Sequence, residues 1–210
     1  IAMVGATVLI AMGAIRIDQA FQAIDLKTLA LMLAMMIINA NLRLSGFFQL
    51  VAGWVARHSR SPIRLLVFIV FSSGILSAFL LNDTIVLMFT PLVVQITQGA
   101  RRNPLPYLIA LATASNIGSA ATLTGNPQNM IIGTASGISY LDFALPLPPV
   151  AVMGLVVVWG VVIWFYPGEF RREALGDLTE QPLELNRPLL VKSWLVTGGL
   201  LPAFLLGAPV

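Results

Sequence analysis

The chain has 210 residues, of which 58% are hydrophobic and only 10% charged, with a formal net charge of +3. Its mean hydropathy is +0.89, and uncharged runs of about 18 residues or more recur, which defines a membrane-embedded, all-α protein rather than a soluble domain. The absence of cysteine excludes disulfides and thiolate metal sites. The basic residues lie between the apolar runs, where positive-inside topology puts them, so the pI near 9.8 points to a membrane and not to nucleic acid.

In chain order, residues 1–15 read as the end of a first span. The chain opens with Ile1 and closes inside the apolar run 195–210, the pattern of a fragment with a truncated last span. The loop from Arg16 to Lys27 is charge-neutral, and a second span covers 26–42. Residues 44–58 are too short to cross. Phe47, Phe48, Val51, Trp54 and Val55 recur there at helical spacing, which predicts an amphipathic interfacial helix. Asn39 and Asn41 are unusual within a span, and a cytoplasmic end position accounts for both. His58, in a basic stretch, reads as a solvated side chain.

The run 65–98 is interrupted at Asn82-Asp83-Thr84. Arg43, Arg57, Arg60 and Arg64 precede it and Arg101-Arg102 follow it, so both ends belong on the cytoplasmic side. The arms, about 17 and 15 residues, are at or below the spanning limit. A re-entrant hairpin fits, and two short full spans also fit. A second run, 105–141, is broken at Thr122-Leu123-Thr124-Gly125-Asn126-Pro127-Gln128-Asn129. Read as one discontinuous crossing, it puts Asp142 outside and returns 143–166 to a cytoplasmic charged stretch, 169–192.

These breaks carry the candidate chemistry. Asp83 is the one acid between Lys27 and Asp142. A carboxylate at membrane depth costs about 2.5–3.5 kcal/mol and needs a proton, a cation or donors. Asn82 and Thr84 stand beside it. One reading is a cation or proton site; the other is a loop that caps a helix starting at Ile85. In the second break Gly125 relaxes the backbone and Pro127 resists continued helix. Thr122, Thr124, Asn126, Gln128 and Asn129 offer side-chain oxygens, and unwound carbonyls in such a break suit Na⁺. Ser77 is close enough in sequence to reach the first break. Ser115-Asn116-Ile117-Gly118-Ser119, small and polar, predicts close approach of another helix. No metalloprotease, serine-hydrolase, aspartyl or P-loop motif is present, so no enzyme is expected. A structural or assembly membrane protein, with the breaks as mere kinks, is the alternative from another class.

The two motifs together resemble the ion transporter superfamily: divalent anion/sodium symporters, citrate transporter-like permeases, arsenite permeases and their antiporter relatives. Leu81-Asn82-Asp83 falls where the symporters carry Ser-Asn-Thr, and Thr122, Gly125, Pro127 and Asn129 match their broken-helix motif. The resemblance covers about residues 26–192. It implies a secondary transporter for an inorganic or carboxylate anion, with Na⁺ or H⁺ as coupling ion and no other cofactor. Ser77, Asn82, Asp83 and Gly125 are implied as the cation or proton site. Asn82, Thr84, Thr122, Thr124, Asn126, Pro127 and Asn129 are implied as the substrate site. The tip departs from the symporters and looks more like the arsenite branch, leaving efflux and Na⁺/H⁺ exchange open. Such a chain is the first of two inverted repeats, with the C-terminal repeat missing. The family resemblance further implies a homodimer and a multi-pass protein of a bacterial-type plasma membrane.

Overall fold

The computed structural model describes residues 1–171 and 185–205. Twelve helices occur among them, and no strand. Residues 172–184 of the charged stretch and 206–210 of the last apolar run lie outside the described residues.

Helix α1 (Ala2–Ala11) is only ten residues long, and α2 (Ile17–Gln22) occupies the neutral loop. Helix α3 (Leu26–Leu44) begins at Asp25, whose carboxylate accepts from the amides of Lys27 and Thr28. Helix α4 (Phe47–His58) follows Gly46, which sits at φ +82, a left-handed conformation that favours glycine. The aromatic face of α4 is packed and not open. Phe47, Phe48, Ala52 and Val55 are buried, and Phe48 meets Phe89 edge-on at 6.1 Å. His58 is exposed and stacks beside Trp54 at 4.7 Å.

Helices α5 (Pro62–Phe79) and α6 (Asn82–Gly99) form the first interrupted run, joined by Leu80 and Leu81 alone. Ser61 caps α5 with Pro62 at its first position, a local signal for a helix start. Helix α7 (Pro104–Ser119) repeats the device with Asn103 and Pro104. Helix α8 (Pro127–Ser136) repeats it again with Asn126 and Pro127. Between α7 and α8 the chain is irregular. Helix α9 (Tyr140–Ala144) is capped by Ser139, whose hydroxyl accepts from the Asp142 amide at 3.1 Å. Then follow α10 (Leu147–Phe165), α11 (Pro167–Phe170) and α12 (Arg187–Leu205). By length and composition, Leu26–Leu44, Pro62–Phe79 and Tyr140–Phe165 can each cross a membrane.

Helix α7 is the centre, flanked by α5, α6 and α10. Leu65, Leu66, Val70, Ile85, Tyr107, Ala110, Leu111 and Ala114 fill the shared core. Where α5 crosses α7, glycine meets glycine. A Cβ on Gly118 would lie 2.0 Å from the Gly74 carbonyl oxygen, so α5 and α7 meet backbone to backbone there. That is the close approach the small-residue stretch predicts.

Two expectations change. The Asn82-Asp83-Thr84 segment is the first turn of α6 and not a loop before Ile85, because the chain turns at Leu80 and Leu81 instead. Asn39 is not a solvated side chain: it is 2% exposed, and its amide has no hydrogen-bond partner among the described residues. Asn41, by contrast, is exposed and donates back to the Ile37 carbonyl.

Candidate functional site

The site is built by docking one break onto the other. The amide of Asn82 donates to the Gly125 carbonyl at 3.1 Å, joining the first turn of α6 to the residue before the α8 cap. Leu80 and Leu81 are buried, so this tip is packed against the protein. The Asn82 side chain donates to Asn116 Oδ1 at 2.9 Å, and the Ser115 hydroxyl donates to the Asn82 carbonyl at 3.2 Å. Ser77 and Ser115 share a hydroxyl–hydroxyl bond. A single polar chain therefore runs Ser77, Ser115, Asn82, Asn116.

The second break holds itself open by side-chain bonds to backbone carbonyls. Asn126 Oδ1 accepts from the Asn129 amide at 2.7 Å, and its Nδ2 donates to the Ser119 carbonyl at 3.3 Å. Asn129 Nδ2 donates to the carbonyls of Ser119 at 3.2 Å and Thr122 at 2.8 Å. These bonds satisfy acceptors that the end of α7 leaves without helical partners. Thr122 donates to the Ala78 carbonyl, and Thr124 pairs with Tyr140 at 3.4 Å. Gly125 is required by space: a Cβ there would stand 2.2 Å from the Ser119 carbonyl oxygen.

The sequence-derived residues thus separate by what they touch. Ser77, Asn82, Gly125, Asn126 and Asn129 come together around the docked breaks. Thr122 and Thr124 are buried beneath them, with hydroxyls turned to protein partners. Pro127 is the half-exposed first residue of α8. Asp83 is exposed, and no hydrogen bond or ion pair engages its carboxylate among the described residues. Thr84 is half-buried beside it. Asn116, Ser115 and Ser119 belong to the network although the sequence reading takes their stretch as packing. The available signal is that Asn116 lies one turn before the break.

The first turns of α6 and α8 converge here, and each keeps an amide without a protein acceptor among the described residues, Thr84 and Gln128. Helix N-termini carry about half a positive charge and favour anionic or oxygen-rich groups. The arrangement offers backbone donors, amide oxygens and one exposed carboxylate within one region.

A helical, membrane-embedded protein with two paired helix breaks is the class these features define. Residues 1–210 match the citrate transporter family along their whole length, and the chain belongs to that family. It is 35% identical to a 46 kDa membrane protein of Mycobacterium leprae, over 93% of this chain and 48% of that one. It is 32% identical to the silicon efflux transporter LSI3 of Oryza sativa subsp. japonica, over 79% and 34%. It is 31% identical to a putative transporter, arsB, of Dictyostelium discoideum, over 67% and 25%. The chain spans about half the length of the first curated relatives it matches. No solved structure matches it.

Proposed function

We propose that this chain is the N-terminal half of a secondary active transporter for a small anion or oxyanion, coupled to Na⁺ or H⁺. The carrying observation is the Asn82–Gly125 bond, which brings two helix N-termini and two irregular segments to one place. Irregular backbone in a membrane survives where it is buried in protein or lines a cavity. Paired breaks of this kind suit a solute that is stripped of water and passed on. Asp83 is the group assigned to coupling, with Ser77, Asn82 and the Gly125 carbonyl assigned as further oxygens of the same cation or proton site. Asn82, Thr84 and the side-chain oxygen of Asn129 are assigned to the solute, the Asn129 amide nitrogen being held by the break; Asn126, Thr122 and Thr124 frame the break, and Pro127 starts α8 at its edge.

The second reading is efflux of a small oxyacid, or Na⁺/H⁺ exchange, on the same site. It is favoured by Asp83 at the tip and by relatives named for silicon efflux and as arsB. Both readings place the protein as multi-pass in a plasma membrane, with a second, inverted half completing the site and a homodimer as the assembly. Catalysis plays no part in either. The test is flux of citrate, arsenite and silicic acid in vesicles carrying the full-length protein, with imposed Na⁺ or proton gradients. Gradient-driven movement of one solute, lost in Asn82→Ala, supports the proposal. Equal flux in empty vesicles for all three and for the cations overturns it.

A further inference from the structure

The half-helix α8 has an anchor far from its solute-facing end. It packs chiefly along α3. It is bounded by the irregular break on one side and by Gly137, at φ +67, on the other. Its N-terminal turn carries Asn126 and Asn129. Near its other end, Thr134 Oγ1 lies 2.6 Å from Thr28 Oγ1 and 3.1 Å from Asp25 Oδ2. The Thr28 hydroxyl donates to the same carboxylate oxygen at 2.5 Å. Asp25 also caps α3, so one carboxylate stands at the start of one helix and within reach of a hydroxyl near the end of another, a hydroxyl that also lies 2.9 Å from the Met130 carbonyl of its own helix. Thr28 is 3% exposed, so its hydroxyl is largely screened from water, while the Asp25 carboxylate is exposed.

Apart from the Asn129 bonds to the Ser119 and Thr122 carbonyls at its other end, the contacts described here for α8 are apolar and less directional. Met130 packs with Met35 and Leu81, and Gly133 lies under Leu123. Such contacts hold a helix against its neighbour but resist sliding weakly. The hydroxyl–hydroxyl–carboxylate clamp sets where along α3 the helix sits. A rigid helix transmits that setting to its other end, two turns away, where Asn126 and Asn129 shape the second break.

We propose that Asp25, Thr28 and Thr134 form a clamp whose role is to position α8, making Asp25 and Thr134 positioning residues for the solute site. This rests on the transporter reading for its kinetic consequence, but not for its structural one. The full-length protein and its Asp25→Asn and Thr134→Val variants are compared in two ways. The first is hydrogen exchange of the backbone amides, which needs no transport. The clamp predicts about tenfold faster exchange within 128–136, with α10 unchanged. Unchanged exchange in α8 overturns it, whether or not the protein transports anything.

The second is the concentration dependence of citrate, arsenite and silicic acid flux, for whichever the parent moves. The expected result is a KM raised about fivefold or more with the maximal rate within about twofold. Thr134→Ser keeps the hydroxyl and should restore the parent KM. In a background without other cysteines, Thr28→Cys/Thr134→Cys supplies a covalent substitute, because the two side chains are already in contact. Reduced, it should behave as Thr134→Val; oxidised, as the parent. A KM indifferent to both the hydroxyl and the cross-link refutes the positioning role. A parent that moves none of the solutes refutes the transporter reading alone, and the exchange result then decides the clamp.

Discussion

Asn82 and Gly125, forty-three positions apart in the chain, share a backbone hydrogen bond of 3.1 Å. One residue begins α6 after a two-residue turn; the other ends the irregular segment before α8. Their bond makes two separate interruptions into one polar region, and what each glycine and side chain does follows from keeping that region in register.

Gly125→Ala forces a Cβ to 2.2 Å from the Ser119 carbonyl, and Gly118→Ala forces one to 2.0 Å from that of Gly74. Both obstacles are backbone, which yields least. Each substitution should destabilise by about 1–3 kcal/mol and disturb the docked breaks. Gly160→Ala, with nothing within 4 Å, should be neutral or stabilising by up to about 1 kcal/mol. Thermal unfolding of the three variants in detergent checks the order.

Asp83→Asn should leave folding intact, since the carboxylate is exposed and engages no described side chain. Its effect should fall on coupling. Flux driven by an imposed gradient should drop about tenfold or more while solute binding remains. The measurement is initial rate against Na⁺ and against pH. Retained flux with the parent ion dependence would remove Asp83 from the coupling role.

Arg102 and Glu169 form a pair at 3.9 Å with side chains 6% and 12% exposed. The basic turn is therefore not simply a solvated charge run. Glu169 also accepts from the Tyr107 hydroxyl at 3.4 Å. Glu169→Ala removes one partner of the largely buried Arg102 guanidinium and the acceptor of the Tyr107 hydroxyl, so it should cost about 1–3 kcal/mol. Arg102→Leu/Glu169→Leu should recover much of that loss. A double-mutant cycle on unfolding midpoints measures the coupling, and additive losses would contradict the pairing.

Hydrogen bonding by the Thr28 hydroxyl, above all, holds the Asp25 carboxyl below its ordinary 3.8. The folded state thus favours the ionised form. The stabilisation is complete above the unfolded value and is lost as pH falls through the lower folded one. Unfolding midpoints should decline as pH falls below the ordinary 3.8, and Asp25→Asn should flatten that decline.

Much of this arrangement is legible in the chain because polar residues in an apolar run need a reason. Asn82-Asp83-Thr84 and Thr122–Asn129 mark themselves in that way. Ser61-Pro62, Asn103-Pro104 and Asn126-Pro127 announce helix starts by local chemistry alone. What is not legible is long-range. Nothing near Asn116 says that its amide meets Asn82, and one turn of small residues reads equally well as packing. The direction of a side chain is also hidden. Asn126 and Asn129 look like solute ligands in sequence, yet their amide groups mostly satisfy carbonyls at the end of α7. Asn39 is missed for the same reason, since its burial, with no partner among the described residues, is a tertiary fact.

The docked breaks are the core of the account, and thiol accessibility tests them most directly. Asn82→Cys, Asn116→Cys and Asn129→Cys, each in the full-length protein without other cysteines, are exposed to a membrane-impermeant maleimide with and without citrate, arsenite or silicic acid. A shared solute site requires labelling at all three positions and protection of all three by the same solute. Positions that stay unlabelled in every condition, or label without protection by any of the solutes, would contradict a shared solute site.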